Sequence, residues 1–269
     1  MPAATPPESA PDATGLTGRD RAGVLTSVVL LALAAAAWAR VLLAPMAADD
    51  MAGMGMVMTP TVVDGLAYVA AWTIMMGAMM LPSAMPMIAL YAATQRNASP
   101  RGRAVAITLF ASTYLGLWAL TGVPIYLGSV ALGALSQTAL AYGISGLLVV
   151  AGLFQVSPFK QMCLRHCRSP LGFLFGHWRP GWRGGVEMGW AHALYCLGCC
   201  WALMVVLVVA GAMGLPWALL IAAVVAAEKL VPRGERLAYV IGAMLILLGV
   251  AVAVRPDLAM ALRSAGGSK

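Results

Sequence analysis

The chain has 269 residues, of which 61% are hydrophobic and only 10% are charged, and its formal net charge is +7. Soluble domains carry about 25% charged residues, whereas residues 104–159 and 188–227 of this chain contain no Lys, Arg, Asp or Glu. This composition excludes a disordered chain, a nucleic-acid-binding module and a soluble enzyme. Because a bilayer-spanning helix needs about 20 mainly apolar residues, each uncharged stretch is long enough for two spans.

Seven apolar segments predict an all-α, polytopic membrane bundle of about seven transmembrane helices within residues 19–257. Residues 1–18 predict a disordered N-terminal tail, and residues 258–269 a C-terminal tail.

The first apolar run, 22–39, is longer than the core of about 7–15 residues in a signal peptide. An uncleaved helix is therefore favoured, and cleavage near 44–48 is the alternative. A hydrophilic loop is expected at 158–186. The predicted spans lie near 22–43, 65–94, 105–127, 132–156, 187–209, 215–230 and 237–254.

The distribution of Lys and Arg predicts the orientation of these spans. Loops on the cytoplasmic side are enriched in Lys and Arg, and 13 of the 17 such residues fall in alternate connecting segments on one side. This pattern predicts a multi-pass protein of the bacterial inner membrane with its N-terminus inside and its C-terminus outside. The segment 44–64 then faces outward.

This outer segment is rich in Met among Gly and Asp residues. A thioether is a soft, neutral ligand, so a Met-rich segment favours Cu(I) over hard cations. The alternative is that Met serves as an apolar filler, although a filler belongs inside a span rather than at its edge. The candidate ligands are Met51, Met54, Met56 and Met58.

The second span continues the Met-rich pattern and contains Pro82 and Pro86. Each proline lacks an N–H and clashes with the carbonyl four residues earlier, so we expect the helix to kink or unwind. Interrupted helices often form the substrate site of transporters, and a packing kink beside a lipid-facing Met stripe is the alternative. The candidate ligands here are Met75, Met76, Met79, Met80 and Met85.

The fifth span carries five candidate ligands at helical spacing, namely Met188, one His and three Cys residues. At 100° per residue, four of these side chains share an arc of about 80° on one helix face, and Cys200 flanks it. Imidazole and thiolate form a ligand set suited to Cu(I) or Zn. Packing is the alternative, and the Cys196-x-x-Cys199 spacing also suits thiol exchange. The four residues on the stripe are Met188, His192, Cys196 and Cys199.

The predicted inner loop contains a third candidate cluster, Cys163, His166 and Cys167. On a helix these three side chains would face one way, and neighbouring cations would lower the thiol pKa and favour the thiolate. An ordinary positively charged loop that contains two Cys residues is the alternative. The order of residues does not fit the Cys-x-x-Cys-His attachment of haem c.

Glu228 and Lys229 end the sixth span. We interpret them as an anchor at the inner membrane boundary. A carboxylate that couples proton movement to transport is the alternative, since ionisable groups inside a span are functional candidates.

Three sequence strings resemble the signatures of a prokaryotic family of predicted metal-binding integral membrane proteins of unknown function. They are MMGAMMLPSAMP at 75–86, CLRHCRSPLGF at 163–173 and HALYCLGCCWALM at 192–204, and AAEKL at 226–230 fits the next helix of the family. The resemblance covers residues 65–254. It implies a metal site and no established reaction, and it does not extend to the outer Met-rich segment.

These observations favour a carrier that binds copper as Cu(I) and transports it across the inner membrane, rather than an enzyme. Outer Met residues would capture the ion, and the inner Cys cluster would receive it. Zinc or haem stays open as the bound species. The alternatives are a membrane thiol-redox or copper-delivery assembly factor, and a metal- or cofactor-holding subunit of a larger membrane complex. Besides the bilayer and the metal ion, the expected partner is a periplasmic or cytoplasmic metallochaperone or another subunit of a membrane complex, and no nucleic acid.

Overall fold

The computed structural model describes residues 14–43, 61–95, 98–209 and 215–266. Within these ranges the chain forms ten α-helices and no strand, which confirms the all-α prediction. The helices are α1 (Thr14–Leu43), α2 (Val62–Thr94), α3 (Pro100–Gly133), α4 (Gln137–Gln155), α5 (Pro158–Arg168), α6 (Pro170–His177), α7 (Gly181–Val209), α8 (Leu215–Leu230), α9 (Gly234–Val254) and α10 (Asp257–Gly266).

Five helices, α2, α3, α4, α7 and α9, are long and apolar enough to cross a membrane. They correspond to five of the seven predicted spans. The other two predicted spans lie in α1, where the apolar stretch is Leu25–Ala39, and in α8, which has 16 residues. Large apolar side chains on the outer faces of the spans are exposed, as Leu127 and Leu247 show at 62% and 70%. Such outer faces suit a lipid environment rather than water.

Both predicted tails are partly helical. Helix α1 begins at Thr14, so residues 14–18 of the predicted N-terminal tail lie in a helix, and residues 1–13 lie outside the described residues. Helix α10 covers most of the predicted C-terminal tail.

The predicted hydrophilic loop at 158–186 is wrong, because this segment folds as α5 and α6 and as the first turns of α7. Pro158 stands at the first position of α5, where its missing N–H is not needed, and the Ser157 side chain accepts a hydrogen bond from the Lys160 backbone N–H. Leu164 and Phe173 are buried in the main core. The segment is therefore part of the bundle.

The helix does not unwind at the two prolines of α2, because it continues through Pro82 and Pro86 to Thr94. The missing N–H of Pro82 frees the carbonyl of Ala78, four residues earlier. That carbonyl accepts a hydrogen bond from Trp38 Nε1 of α1 at 3.1 Å. The freed backbone group is thus satisfied by the neighbouring helix, as membrane helices require.

Glycines allow two helix pairs to approach closely. In the α3–α7 pair, a Cβ at Gly189 would lie 2.5 Å from the Phe110 carbonyl oxygen. In the α4–α9 pair, a Cβ at Gly152 would lie 2.6 Å from the Gly242 carbonyl oxygen. Small residues at such crossings let helix backbones pack against each other in membranes.

We expect Gly152→Ala to destabilise the fold by about 1–3 kcal/mol, because the added methyl group overlaps the α9 backbone. Gly146→Ala in the same helix is the matched control, since a Cβ there meets nothing within 4 Å. Unfolding of both variants in mixed detergent micelles measures the difference. Equal stabilities of the two variants would contradict the α4–α9 packing.

Candidate metal centre

Helix α7 presents its candidate ligands to the interior of the bundle. Met188, His192, Cys196, Cys199 and Cys200 are each between 0% and 3% exposed. They belong to the main core, with His192 packed among its aromatic rings. The stripe drawn from the 100° spacing is therefore a buried face of α7 rather than a lipid-facing one.

The two thiols of α5 both pack against α7, and Cys167 faces this stripe. Cys167 Sγ lies 3.8 Å from Cys199 Sγ. Cys163 packs against α7 at Gly198, where a Cβ would lie 2.7 Å from Cys163 Sγ. All five cysteines are free thiols. Cys167 of the inner cluster and Cys199 of the α7 stripe therefore lie in contact. We refer to these two thiols and Cys196, one turn before Cys199 on α7, as the sulfur centre.

Cys196 is held by two polar groups from other helices. The Tyr114 hydroxyl of α3 lies 3.0 Å from Cys196 Sγ, and Lys229 Nζ of α8 donates to the same sulfur at 3.1 Å. Lys229 Nζ also donates to Ser83 Oγ of α2 at 3.1 Å. Lys229, only 7% exposed, thus connects the sulfur centre to the segment of α2 between Pro82 and Pro86.

The predicted boundary anchor at Glu228 and Lys229 is therefore wrong, because both side chains are buried and they point to different neighbours. Glu228 forms an ion pair with Lys160 of α5 at 2.7 Å and accepts a hydrogen bond from Gln155 Nε2 at 2.8 Å. Lys160 also donates to the Gln155 side chain. This network links α4, α5 and α8 beside the sulfur centre.

The histidines differ in their surroundings. The ring of His192 stacks on Tyr114 with centroids 5.6 Å apart, and its Nδ1 is buried without a hydrogen-bond partner. His166 stacks on Tyr195 at 4.2 Å, and its Nδ1 lies 2.9 Å from the Met162 carbonyl oxygen. A buried polar atom without a partner is costly, so His192 is the histidine better placed to take a ligand.

The methionines of α2 face the same core as the cysteines. Met75, Met76, Met79 and Met80 are between 0% and 4% exposed, and Met85 packs against the core while partly buried. The alternative of a lipid-facing Met stripe is therefore wrong. The outer candidates Met51, Met54, Met56 and Met58 lie outside the described residues.

The expectation that nearby cations lower the thiol pKa in α5 is also wrong. Burial raises the pKa of the Cys163 thiol, and contact with Cys199, followed by burial, raises that of Cys167. The cations of α5 bind other acceptors: Lys160 pairs with Glu228, and Arg165 pairs with Glu235 at 3.2 Å. A metal ion that binds these thiols must therefore displace their protons.

The donor set decides which ion fits. Among the described residues, no three His, Cys, Asp or Glu side chains are grouped around one point as metal ligands. What the core offers instead is a close thiol pair together with buried thioethers and one imidazole. Soft sulfur ligands in low number suit Cu(I) better than ions that require a full set of hard or borderline ligands.

The fold and the centre define an all-α bundle with a sulfur-rich core and five helices long and apolar enough to span a membrane. Residues 69–252, more than half of the chain, match the PpoB2 copper chaperone family, and the chain belongs to this family. Comparison with curated proteins and with solved structures finds no match.

Three residues around the sulfur centre, Ser83, Tyr114 and Lys229, are not among the site residues that the sequence predicts. Tyr114 and Ser83 carry no signal, since a single hydroxyl in an apolar helix is common. Lys229 does carry a sequence signal, because an ionisable side chain next to an apolar span is a functional candidate. Its direction on α8 decided between an anchor and a site residue.

Proposed function

We propose that the protein binds copper as Cu(I) at the sulfur centre and moves it across the inner membrane. The observation that carries this proposal is the approach of Cys167 Sγ to Cys199 Sγ at 3.8 Å between α5 and α7. Two sulfur atoms that each bind one ion at about 2.3 Å, the length of a zinc–sulfur bond, lie no more than about 4.6 Å apart, so one ion can bridge this pair. The softness of the donors and the copper chaperone family favour Cu(I) as that ion.

The methionines of α2 supply a path for the ion toward this pair. From Met75 to Met87 the helix rises about 18 Å at 1.5 Å per residue, and the Met residues of this stretch contact the core. Thioethers are neutral and bind Cu(I) more weakly than thiolates do, so an ion gains affinity on the way to the cysteines. With the predicted orientation, this gradient favours inward movement, followed by release to a metallochaperone.

The binding step is tested by titrating the purified protein with Cu(I) against a chromogenic Cu(I) chelator. We expect one Cu(I) per chain at the sulfur centre. The transport step is tested in liposomes that contain the chelator inside and receive Cu(I) outside. Transport is supported if the chelator becomes coloured inside liposomes that contain the protein and stays colourless inside liposomes that lack it. Binding without accumulation would restrict the function to holding and delivering copper.

The same thiol pair supports a second candidate function, a thiol-redox role in copper delivery. After a small shift of α5, thiols 3.8 Å apart can form a disulfide by exchange with an oxidised partner protein, whose own disulfide is reduced to two thiols. Trapping of free thiols in cells distinguishes the two functions. A mixed disulfide between this chain and a partner protein supports the redox role, whereas fully reduced thiols support the carrier.

A further inference from the structure

Lys229 is a buried cation with no carboxylate partner in the described part of the chain. Its Nζ donates to Cys196 Sγ and Ser83 Oγ, each at 3.1 Å. The adjacent carboxylate of Glu228 is bound by Lys160 and Gln155 instead. The four ion pairs between described residues do not include Lys229.

A buried ammonium group without an opposite charge is unfavourable in a protein interior and more so inside a bilayer. An ammonium group has three donors and no acceptor, so the Cys196 sulfur acts as an acceptor toward it. The groups at this centre that can carry negative charge are the Cys thiols, each of which becomes an anion when it binds a metal ion. The positive charge of Lys229 therefore balances negative charge that the sulfur centre gains when its thiols bind a metal ion.

We propose that Lys229 is the counter-charge of a Cu(I) ion bound by the Cys167 and Cys199 thiolates, and that it selects a monovalent soft ion over a divalent one. Lys229 contacts Cys196, which lies one helical turn before Cys199 on α7. This inference rests on the proposed copper function. When Cu(I) binds, two S–H bonds break, two protons leave to bulk water, and two metal–sulfur bonds form without any change of oxidation state. Two thiolates, one Cu(I) and one ammonium group sum to zero charge. A divalent ion in the same two-thiolate site leaves one uncompensated positive charge.

A test on the unmodified protein compares Ag(I) with Cd(II). Both ions prefer sulfur ligands, and they differ in charge. We expect Ag(I) to displace Cu(I) from the purified protein and Cd(II) to displace it at least about a hundredfold less well. Displacement by Cd(II) as efficient as that by Ag(I) would overturn the selection by charge, whatever the behaviour of any variant.

A variant test replaces the ammonium group. In Lys229→Gln, we expect the ratio of Cu(I) to Cd(II) affinity to fall at least tenfold, because loss of the positive charge disfavours the monovalent complex and favours the divalent one. Lys229→Arg keeps the charge and should retain the larger part of the wild-type ratio. A parallel fall in both affinities in Lys229→Gln, which a purely structural role would produce, contradicts the inference.

The matched control is the double variant Lys160→Gln with Glu228→Gln, which removes a buried ammonium group together with its own partner. Its ratio of Cu(I) to Cd(II) affinity should equal that of the wild-type protein.

The proposed function and the role of Lys229 can be refuted separately. A wild-type protein that does not bind Cu(I) refutes the proposed function, whereas Cu(I) binding with an unchanged ratio in Lys229→Gln refutes the role of Lys229 alone.

Discussion

Replacing Cys167 and Cys199 by Ser is expected to lower the affinity for Cu(I) more than about a hundredfold. Mutation of groups that only support metal ligands costs about 10–100-fold in affinity, and the double variant removes a ligand pair outright. Ser matches Cys in size, so the packing of α5 against α7 is retained while the soft donors are lost. Competition titration with a Cu(I) chelator measures the change.

The control for this pair is Ala202→Ser, which adds a hydroxyl group at another buried position of α7. It should bind Cu(I) like the wild-type protein. If the double Cys variant also bound Cu(I) with wild-type affinity, the close thiol pair would be a packing contact, and the ion would have to bind elsewhere.

Replacing Glu228 by Ala should destabilise the protein by about 3–5 kcal/mol, because it leaves the Lys160 ammonium group buried without its partner. Both side chains of this pair are at most 2% exposed. Removal of both charges in Lys160→Met with Glu228→Leu should restore most of the lost stability, since the uncompensated charge is then absent. Unfolding in mixed micelles followed by circular dichroism gives the free energies of unfolding.

The exposed pair of Arg165 and Glu235 is the matched control, with side chains 70% and 39% exposed. Glu235→Ala should change the free energy of unfolding by no more than about 1 kcal/mol, as is typical of surface ion pairs. An effect of Glu228→Ala as small as that of Glu235→Ala would show that the buried network does not stabilise the bundle.

The all-α bundle and the alignment of the α7 ligands on one helix face could be predicted because both depend on local pattern. Long uncharged segments define membrane helices, and the spacing of Met188, His192, Cys196 and Cys199 defines one face of a helix. The Met residues of α2 were also identified as candidates. Their burial was not predictable, because period alone does not distinguish a face turned to protein from one turned to lipid.

What the sequence could not predict depends on tertiary contacts. Helix α5 buries Lys160 and exposes Phe159 and Met162, the reverse of the pattern by which an amphipathic helix is recognised. Neighbouring helix residues point about 100° apart, so Glu228 and Lys229 contact different groups. The sequence does not show which groups each side chain contacts. The approach of Cys167 to Cys199 likewise results from the packing of α5 on α7.

Copper binding by the buried sulfur atoms is central to the proposed function. It is tested most directly by measuring the metal content and the X-ray absorption spectrum of the full chain purified from copper-supplemented cells without later addition of metal. We predict close to one copper per chain, an absorption edge typical of Cu(I), and a first shell composed mainly of sulfur. If the wild-type chain held no more copper than the double variant Cys167→Ser with Cys199→Ser, copper binding at these thiols would be contradicted. A first shell of nitrogen and oxygen alone would contradict it as well.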